Sequence, residues 1–130
     1  MWDWVSISVM HKPPNLIPRT REFSLAIIRL YVSLSSDTLS QVIGKQVLRS
    51  ATSVGAHLRE GKRSRSDAEM LSKVEVAQQE LEETMYWLDL LVTAGVRHSG
   101  SVPDILSEAD ELMAMLVGSA KSIKSRRSLP

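Results

Sequence analysis

Few side chains in this sequence could act as metal ligands or general bases. None of the three histidines, His11, His57 and His98, has a glutamate three residues before it, as the di-iron sites of helical bundles require. Glu80 and Glu83 would share one helix face, but acidic faces without histidine are more often solvated or paired with arginine. The chain has no cysteine and no G-x-S-x-G, H-E-x-x-H or glycine-rich phosphate motif. We therefore expect no catalytic residue, no metal site, no cofactor and no enzymatic activity.

Charge is the stronger chemical signal, because it is separated along the chain. Residues 67–94 hold seven acids and one base, residues 59–65 hold four bases and one acid, and residues 119–130 hold four bases. A basic segment repeated around an assembly would offer a rim for phosphate backbones, and solvated faces are the plainer alternative. The candidate phosphate-binding residues are Lys62, Arg63, Arg65, Lys121, Lys124, Arg126 and Arg127.

The composition describes one ordinary globular domain. The chain has 130 residues, 43% of them hydrophobic and 24% charged, with a formal net charge of +1. This balance excludes a uniformly basic nucleic-acid binder, and no apolar run reaches the length of a membrane span. Aromatic residues make up 5%, which is too few for a base-stacking platform. We expect a cytoplasmic protein without a signal peptide, since the first apolar stretch is short and broken by serines.

Apolar residues at steps of three and four predict four amphipathic helices that position these charges. They run from about Thr20 to Leu34, Thr38 to Glu60, Ser66 to Ala94 and Ser101 to Lys124. Short connections between them favour an antiparallel up-down bundle. Small residues at 50–56 predict that the second helix crosses another helix closely. The expected core includes Val74, Leu81, Leu88, Leu112 and Leu116.

Capping residues set the expected ends of these helices. Ser66 and Glu69 form a capping box, Gly95 suits the position after the third helix, and Ser101 to Asp104 forms a second box-like start. Three prolines up to Pro18 predict irregular structure before the first helix. The expected organisation is an irregular tail over residues 1–18, a bundle over 19–124 and a basic tail over 125–130. Two interpretations of residues 1–9 stay open. Either they form a loose tail or precede the true start of the protein at Met10, or Trp2 and Trp4 dock into a groove on a neighbouring subunit.

Two segments carry a family resemblance. The run from Gln46 to Gly61, QVLRSATSVGAHLREG, and the run from Glu83 to Leu91, ETMYWLDLL, resemble the small four-helix-bundle family. Its members are often called intervening-sequence proteins of the large ribosomal RNA, because some are encoded inside insertions in that gene. The resemblance covers about residues 20–124, and this chain has His57 where the family pattern has asparagine.

The resemblance implies a ring-like homo-oligomer, pentameric in relatives. A protein of similar fold, the accessory variability determinant of diversity-generating retroelements, binds nucleic acid and a reverse transcriptase, so the expected partners are further copies of the chain, RNA or DNA, and a reverse transcriptase. The residues assigned to the motif or to subunit contacts are Arg49, His57, Arg59 and Glu60. We expect Glu60 to pair with an arginine, and His57 to be a surface or hydrogen-bonded histidine rather than a base.

Two hypotheses of function follow. In the first, the protein is an accessory scaffold whose basic segments bind phosphates, so that binding falls steeply with salt. In the second, it is a structural or protein-interaction oligomer whose basic residues contact the acidic third helix of a neighbour. Loss of Arg63 would then break the oligomer rather than nucleic-acid binding.

Overall fold

The computed structural model describes residues 12–96 and 100–128, and within them it forms four α-helices and no strand. The helices are α1 (Leu16–Val32), α2 (Thr38–Lys62), α3 (Asp67–Thr93) and α4 (Val102–Arg127). Each helix packs against its neighbours in chain order, and α1 also packs against α4. This is the predicted up-down bundle. Among the described helices, none has both the length and the apolar character needed to cross a membrane.

The predicted ends of the bundle need two corrections. α1 begins at Leu16, so Pro18 lies in its first turn rather than in an irregular segment. Proline is tolerated there because first-turn N–H groups have no intrahelical acceptor. α4 continues to Arg127, so the basic residues at 124–127 form its last turn rather than a tail. Residues 1–11, including Trp2, Trp4 and His11, and residues 97–99, including His98, lie outside the described part of the chain.

The capping predictions are confirmed for α3. The Ser66 hydroxyl accepts a hydrogen bond from the Glu69 N–H (3.1 Å), and the Glu69 carboxylate accepts one from the Arg65 N–H (2.8 Å). After α3, Gly95 takes φ +75°, its N–H donates to the Val92 carbonyl, and the next N–H, of Val96, donates to the Leu91 carbonyl. This paired pattern is a Schellman end, which needs the left-handed conformation that glycine adopts at little cost.

The prediction of a cap at Ser101 is wrong. Ser101 has φ −82° and ψ −8°, a helical conformation, and its side chain caps nothing. A capping hydroxyl needs an extended backbone to reach the N–H groups ahead of it. The Ser101 hydroxyl is instead buried without a hydrogen-bond partner in the described structure, while Pro103 occupies the first turn as expected.

The expected core is confirmed, since Val74, Leu81, Leu88, Leu112 and Leu116 are all buried. Apolar spacing also predicts that Leu39 and Val42 belong to the buried stripe of the second helix, and this prediction is wrong, because both are half exposed. Ser40 and Gly44 take the inward positions instead. A Cβ on Gly44 would lie 2.6 Å from Cδ1 of Leu34, which follows α1, and 3.3 Å from Cδ1 of Tyr31 on α1, so a larger residue at this position would require these side chains to move.

Candidate nucleic-acid interface

The predicted phosphate-binding residues gather at one end of the bundle. Because the helices alternate in direction, the C-terminal turns of α2 and α4 lie beside the N-terminal turns of α1 and α3. A single cavity at this end is lined by residues from all four helices, among them Asn15, Lys62, Met70 and Ser119. Cations are stabilised at helix C-termini by the helix dipole. We call this the basic end, formed by Arg59, Lys62, Arg63, Arg65, Lys121, Lys124, Arg126 and Arg127.

Three of these cations already have acidic partners in α3. Lys124 Nζ lies 3.5 Å from a Glu75 oxygen, and Arg126 Nη2 lies 3.1 Å from Asp67 Oδ1. Arg65 lies 3.9 Å from Glu69 within the α3 start. In the described structure Lys62, Arg63, Lys121 and Arg127 contact no acid. The acidic charge of α3 is therefore partly neutralised inside the subunit, and the free positive charge concentrates near the end of α2.

A groove between α1 and α2 holds most of this free charge. Two adjoining cavities, of about 150 and 230 Å³, share Ile17 and Arg59. Arg21 lines the first, and Lys62 and Arg63 line the second. None of these four cations has an acidic partner among the described residues. We call this surface the cationic groove, defined by Ile17, Arg21, Arg59, Lys62 and Arg63.

Arg21 was missed by the sequence analysis. It lies 38 positions before Arg59 on another helix, and only the register between α1 and α2 brings the two together. That register is set by a close approach at Gly55, where a Cβ would lie 3.3 Å from Thr20 Oγ1. Among the small residues of α2, Gly55 therefore packs against the chain's own α1, whereas Ser50 hydrogen-bonds to Thr84 of α3. The groove is lined by Thr52, Gly55 and Ala56 on the α2 side.

Among the residues assigned to the motif or to subunit contacts, Arg49 and Glu60 form ion pairs inside the subunit. Arg49 bonds to Glu83 and lies 3.4 Å from Glu80, and Trp87 Nε1 donates to Glu83 Oε2 (2.9 Å). Two carboxylates on one helix face are thus held by an arginine, as the plainer interpretation predicted. Among the described residues, no group of three potential ligands could hold a metal ion.

The prediction that Glu60 pairs with an arginine is wrong within the subunit. Its carboxylate lies 3.2 Å from Lys73 Nζ on α3. The approach is possible because Gly61 presents no side chain to α3, where a Cβ would lie 3.1 Å from Lys73 Cβ. His57 Nδ1 lies 3.9 Å from Glu60 and is buried without a hydrogen-bond partner in the described structure.

A second charged cluster, also missed, joins α1 to α4. Arg19 donates to both oxygens of Glu108, from Nε at 2.9 Å and from Nη2 at 2.7 Å, and Glu108 is fully buried. Glu111 accepts from Arg19 Nη2 (2.9 Å) and from Lys12 Nζ (3.1 Å). The Glu108 hydrogen bond raises the pKa of Arg19, and the Lys12 hydrogen bond lowers the pKa of Glu111. These charges are satisfied by one another, so this cluster is structural and offers nothing to a ligand.

Comparisons with known proteins agree with this fold. The family model described as 23S rRNA-intervening sequence protein matches residues 15–118. A crystal structure of a protein of unknown function from the S23 ribosomal protein family of Bacteroides thetaiotaomicron is similar, with a TM-score of 0.77 and 32% sequence identity. The alignment covers 82% of this chain and 99% of that one. Among curated proteins, no match was found.

Proposed function

Because the chain belongs to the 23S rRNA-intervening sequence protein family, we propose that it is a non-enzymatic, cytoplasmic accessory scaffold that binds the phosphate backbone of RNA or DNA. The observation that carries this proposal is the cationic groove. Arg21, Arg59, Lys62 and Arg63 converge there without an acidic partner in the described structure. Arginines whose charge is not used inside a fold are suited to phosphate, which the planar guanidinium can bind through two hydrogen bonds.

The groove replaces most of the binding set expected from sequence. Lys62 and Arg63 stay in it, and Arg21 and Arg59 join them. Lys124 and Arg126 contribute less, because each would have to exchange its α3 carboxylate for a phosphate. Lys121 and Arg127 supplement the groove from α4. With four cations in contact, the logarithm of the binding constant should fall by roughly 3–4 for each tenfold rise in salt.

An oligomer would raise the affinity of such a small site. We propose a ring of identical subunits, most simply five, so that several grooves engage one polyanion and gain avidity. Light scattering at micromolar protein tests this assembly. A mass of about one chain, 14.5 kDa, would overturn the ring but would leave phosphate binding by the monomer open to the next experiment.

The experiment is filter binding with a structured RNA and with duplex DNA at two salt concentrations. The variant Arg59→Gln, Arg63→Gln removes two free cations, and the matched control Lys124→Gln, Arg126→Gln removes two paired ones. We expect the groove variant to bind nucleic acid more weakly and to reduce the slope of the logarithm of the binding constant against the logarithm of the salt concentration by about two. The control variant should change the affinity and the slope less. Absence of binding by the wild type at low salt would overturn the proposal, as would equal losses in both variants.

A second candidate function rests on the separation of charge between helix pairs. Glu82 and Asp89 on α3 and Asp110 on α4 have no basic partner in the described structure, whereas Arg21 on α1 and Arg59 and Lys62 on α2 have no acidic one. A neighbouring subunit could place its acids in the cationic groove, which would make the protein a purely structural or protein-interaction oligomer. Under this alternative Arg63→Gln would lower the mass measured by light scattering, and nucleic acid would not bind at any salt concentration.

A further inference from the structure

A cavity lies at the basic end of the bundle, lined by residues from all four helices. Its volume is about 350 Å³, within the range of small-molecule sites. Its walls are mainly apolar side chains from three helices, Leu16, Ile17, Pro18, Leu58, Met70 and Val74. The cavity is open to solvent at the surface where the free cations lie.

Two polar side chains in the cavity wall have unused hydrogen-bonding groups. Asn15 is the N-cap residue of α1, but its amide makes no capping bond. Ser119, half buried on α4, makes no hydrogen bond with any described residue. An amide and a hydroxyl can each both donate and accept. A few polar groups of this kind in an apolar pocket orient a bound ligand.

The cavity and the cationic groove are continuous. Ile17 and Lys62 line both, and Arg59 and Arg63 lie on the groove side of that boundary. A ligand that fills both would therefore have a compact, mostly apolar body with polar edges, joined directly to an anionic group. A nucleotide has this construction, since its base is flat and edged with donors and acceptors while its phosphate is charged.

We propose that the end cavity binds the base of an unpaired nucleotide while its flanking phosphates lie on Arg59, Lys62 and Arg63. This inference rests on the proposed function and names its substrate class, single-stranded, bulged or terminal nucleotides. A paired base cannot enter, because its edges and faces are held inside the duplex. An acyl chain of the same volume would leave the half-buried Ser119 hydroxyl without a hydrogen-bond partner, which opposes its binding.

The selectivity of the site follows from these walls. The apolar side chains contact the faces of the base without distinguishing its identity. The Asn15 amide and the Ser119 hydroxyl reach only part of the edge of the base. We therefore expect the affinity to differ less among the four bases than between any base and an abasic site.

The test compares two RNA hairpins that differ in one base. Each carries a single-nucleotide bulge, intact in one and abasic in the other, so that the phosphates are identical. Fluorescence anisotropy at one salt concentration should show roughly tenfold weaker binding of the abasic hairpin, because the contacts of the base with the apolar cavity walls are lost. Equal affinities for the two hairpins would overturn the base site and leave the phosphate-binding proposal standing, whereas no binding of either would overturn both.

Two serines on α4 give matched variants. Ser119→Phe fills the cavity, whereas Ser122→Phe makes the same change at an exposed position three residues on. We expect Ser119→Phe to reduce affinity for the intact bulge to that for the abasic one, and Ser122→Phe to leave the difference unchanged. If Ser119→Phe does not fold, as judged by its thermal melt, Asn15→Ala replaces it. This variant should reduce the difference in affinity between the intact and the abasic hairpin severalfold.

A competition experiment separates a nucleotide from an amphiphile. Adenosine monophosphate and decyl phosphate share the anionic group and differ in the body that would enter the cavity. Displacement of the bulged hairpin by adenosine monophosphate at lower concentration than decyl phosphate supports the proposal. The reverse order would show that the cavity prefers an alkyl chain, and would overturn it.

Discussion

Replacement of Glu108 by glutamine should destabilise the bundle strongly. Glu108 is fully buried and receives two hydrogen bonds from Arg19, at 2.9 and 2.7 Å. Removing the charge of one partner in a buried pair typically costs about 3–5 kcal/mol, because the other charge is left without compensation. Arg19 would retain Glu111 at 2.9 Å, so we expect a loss near the lower limit, about 3 kcal/mol.

The lost stability should come chiefly from the interface between α1 and α4. These two helices share the smallest of the four interfaces, and the Arg19–Glu108 pair is their buried polar link. Chemical denaturation of the wild type and Glu108→Gln, at one protein concentration and pH 7, measures the difference in the free energy of unfolding. The concentration must be matched because assembly contributes to apparent stability.

A double variant separates the pair from its surroundings. Arg19→Met combined with Glu108→Met removes both charges and keeps unbranched side chains of similar reach. It should recover much of the stability lost in Glu108→Gln, since apolar replacements of buried ion pairs are often neutral or stabilising. A loss below about 1 kcal/mol in Glu108→Gln would refute the inference that the Arg19–Glu108 ion pair stabilises the bundle through the Glu108 charge.

Three further outcomes are expected. Leu81→Ala should cost about 2–5 kcal/mol in a denaturant melt, because Leu81 is fully buried mid-bundle and a cavity would remain; Leu39→Ala, at a half-exposed position, should stay within about 0.5 kcal/mol, and similar losses at both sites would contradict the helix phase. Hydrogen bonds from Ser35 and Ser40 lower the pKa of Asp37 from 3.8 to about 2, so the contribution of the Asp37 carboxylate to stability is present above pH 3.8 and is lost as the pH falls through about 2. The difference in melting temperature between the wild type and Asp37→Asn should therefore shrink over that pH interval, and a constant difference would contradict this prediction. Gly95→Ala should cost about 1–2 kcal/mol, because φ is +75° at Gly95 and the left-handed conformation is strained for alanine; an unchanged melt would argue against this helix end.

Helix content, order and most of the core were predictable from local sequence. Apolar spacing of three and four places Leu81 and Leu88 inside α3 regardless of what packs against them, since periodicity depends on helix geometry alone. The Ser66 cap and the Gly95 helix end were predictable for the same reason, because both use residues within a few positions of one another. The prediction failed at Ser101, where a matching residue pattern lacks the extended backbone that a cap requires.

Contacts between side chains on different helices could not be predicted from the sequence. Arg19 and Glu108 are 89 positions apart, and nothing local distinguishes Glu108, buried, from Glu111, half exposed. Arg21 and Arg59 share a groove only through the α1–α2 register, and Lys73 rather than an arginine reaches Glu60 because Gly61 admits α3 closely. The phase of α2 at Leu39 likewise depended on how near α1 approaches Gly44.

The kind of fold and the sign of each segment's charge could be predicted from the sequence, whereas the packing of the helices sets which charges remain free. Residues 59–65 and 119–127 are both basic in sequence, yet Lys124 and Arg126 are paired with α3 whereas Arg59, Lys62 and Arg63 have no acidic partner in the described structure. The physical reason is that helix formation depends on contacts within one or two turns. Ion pairing depends on distances of a few ångströms between side chains on different helices, which only the packed bundle sets.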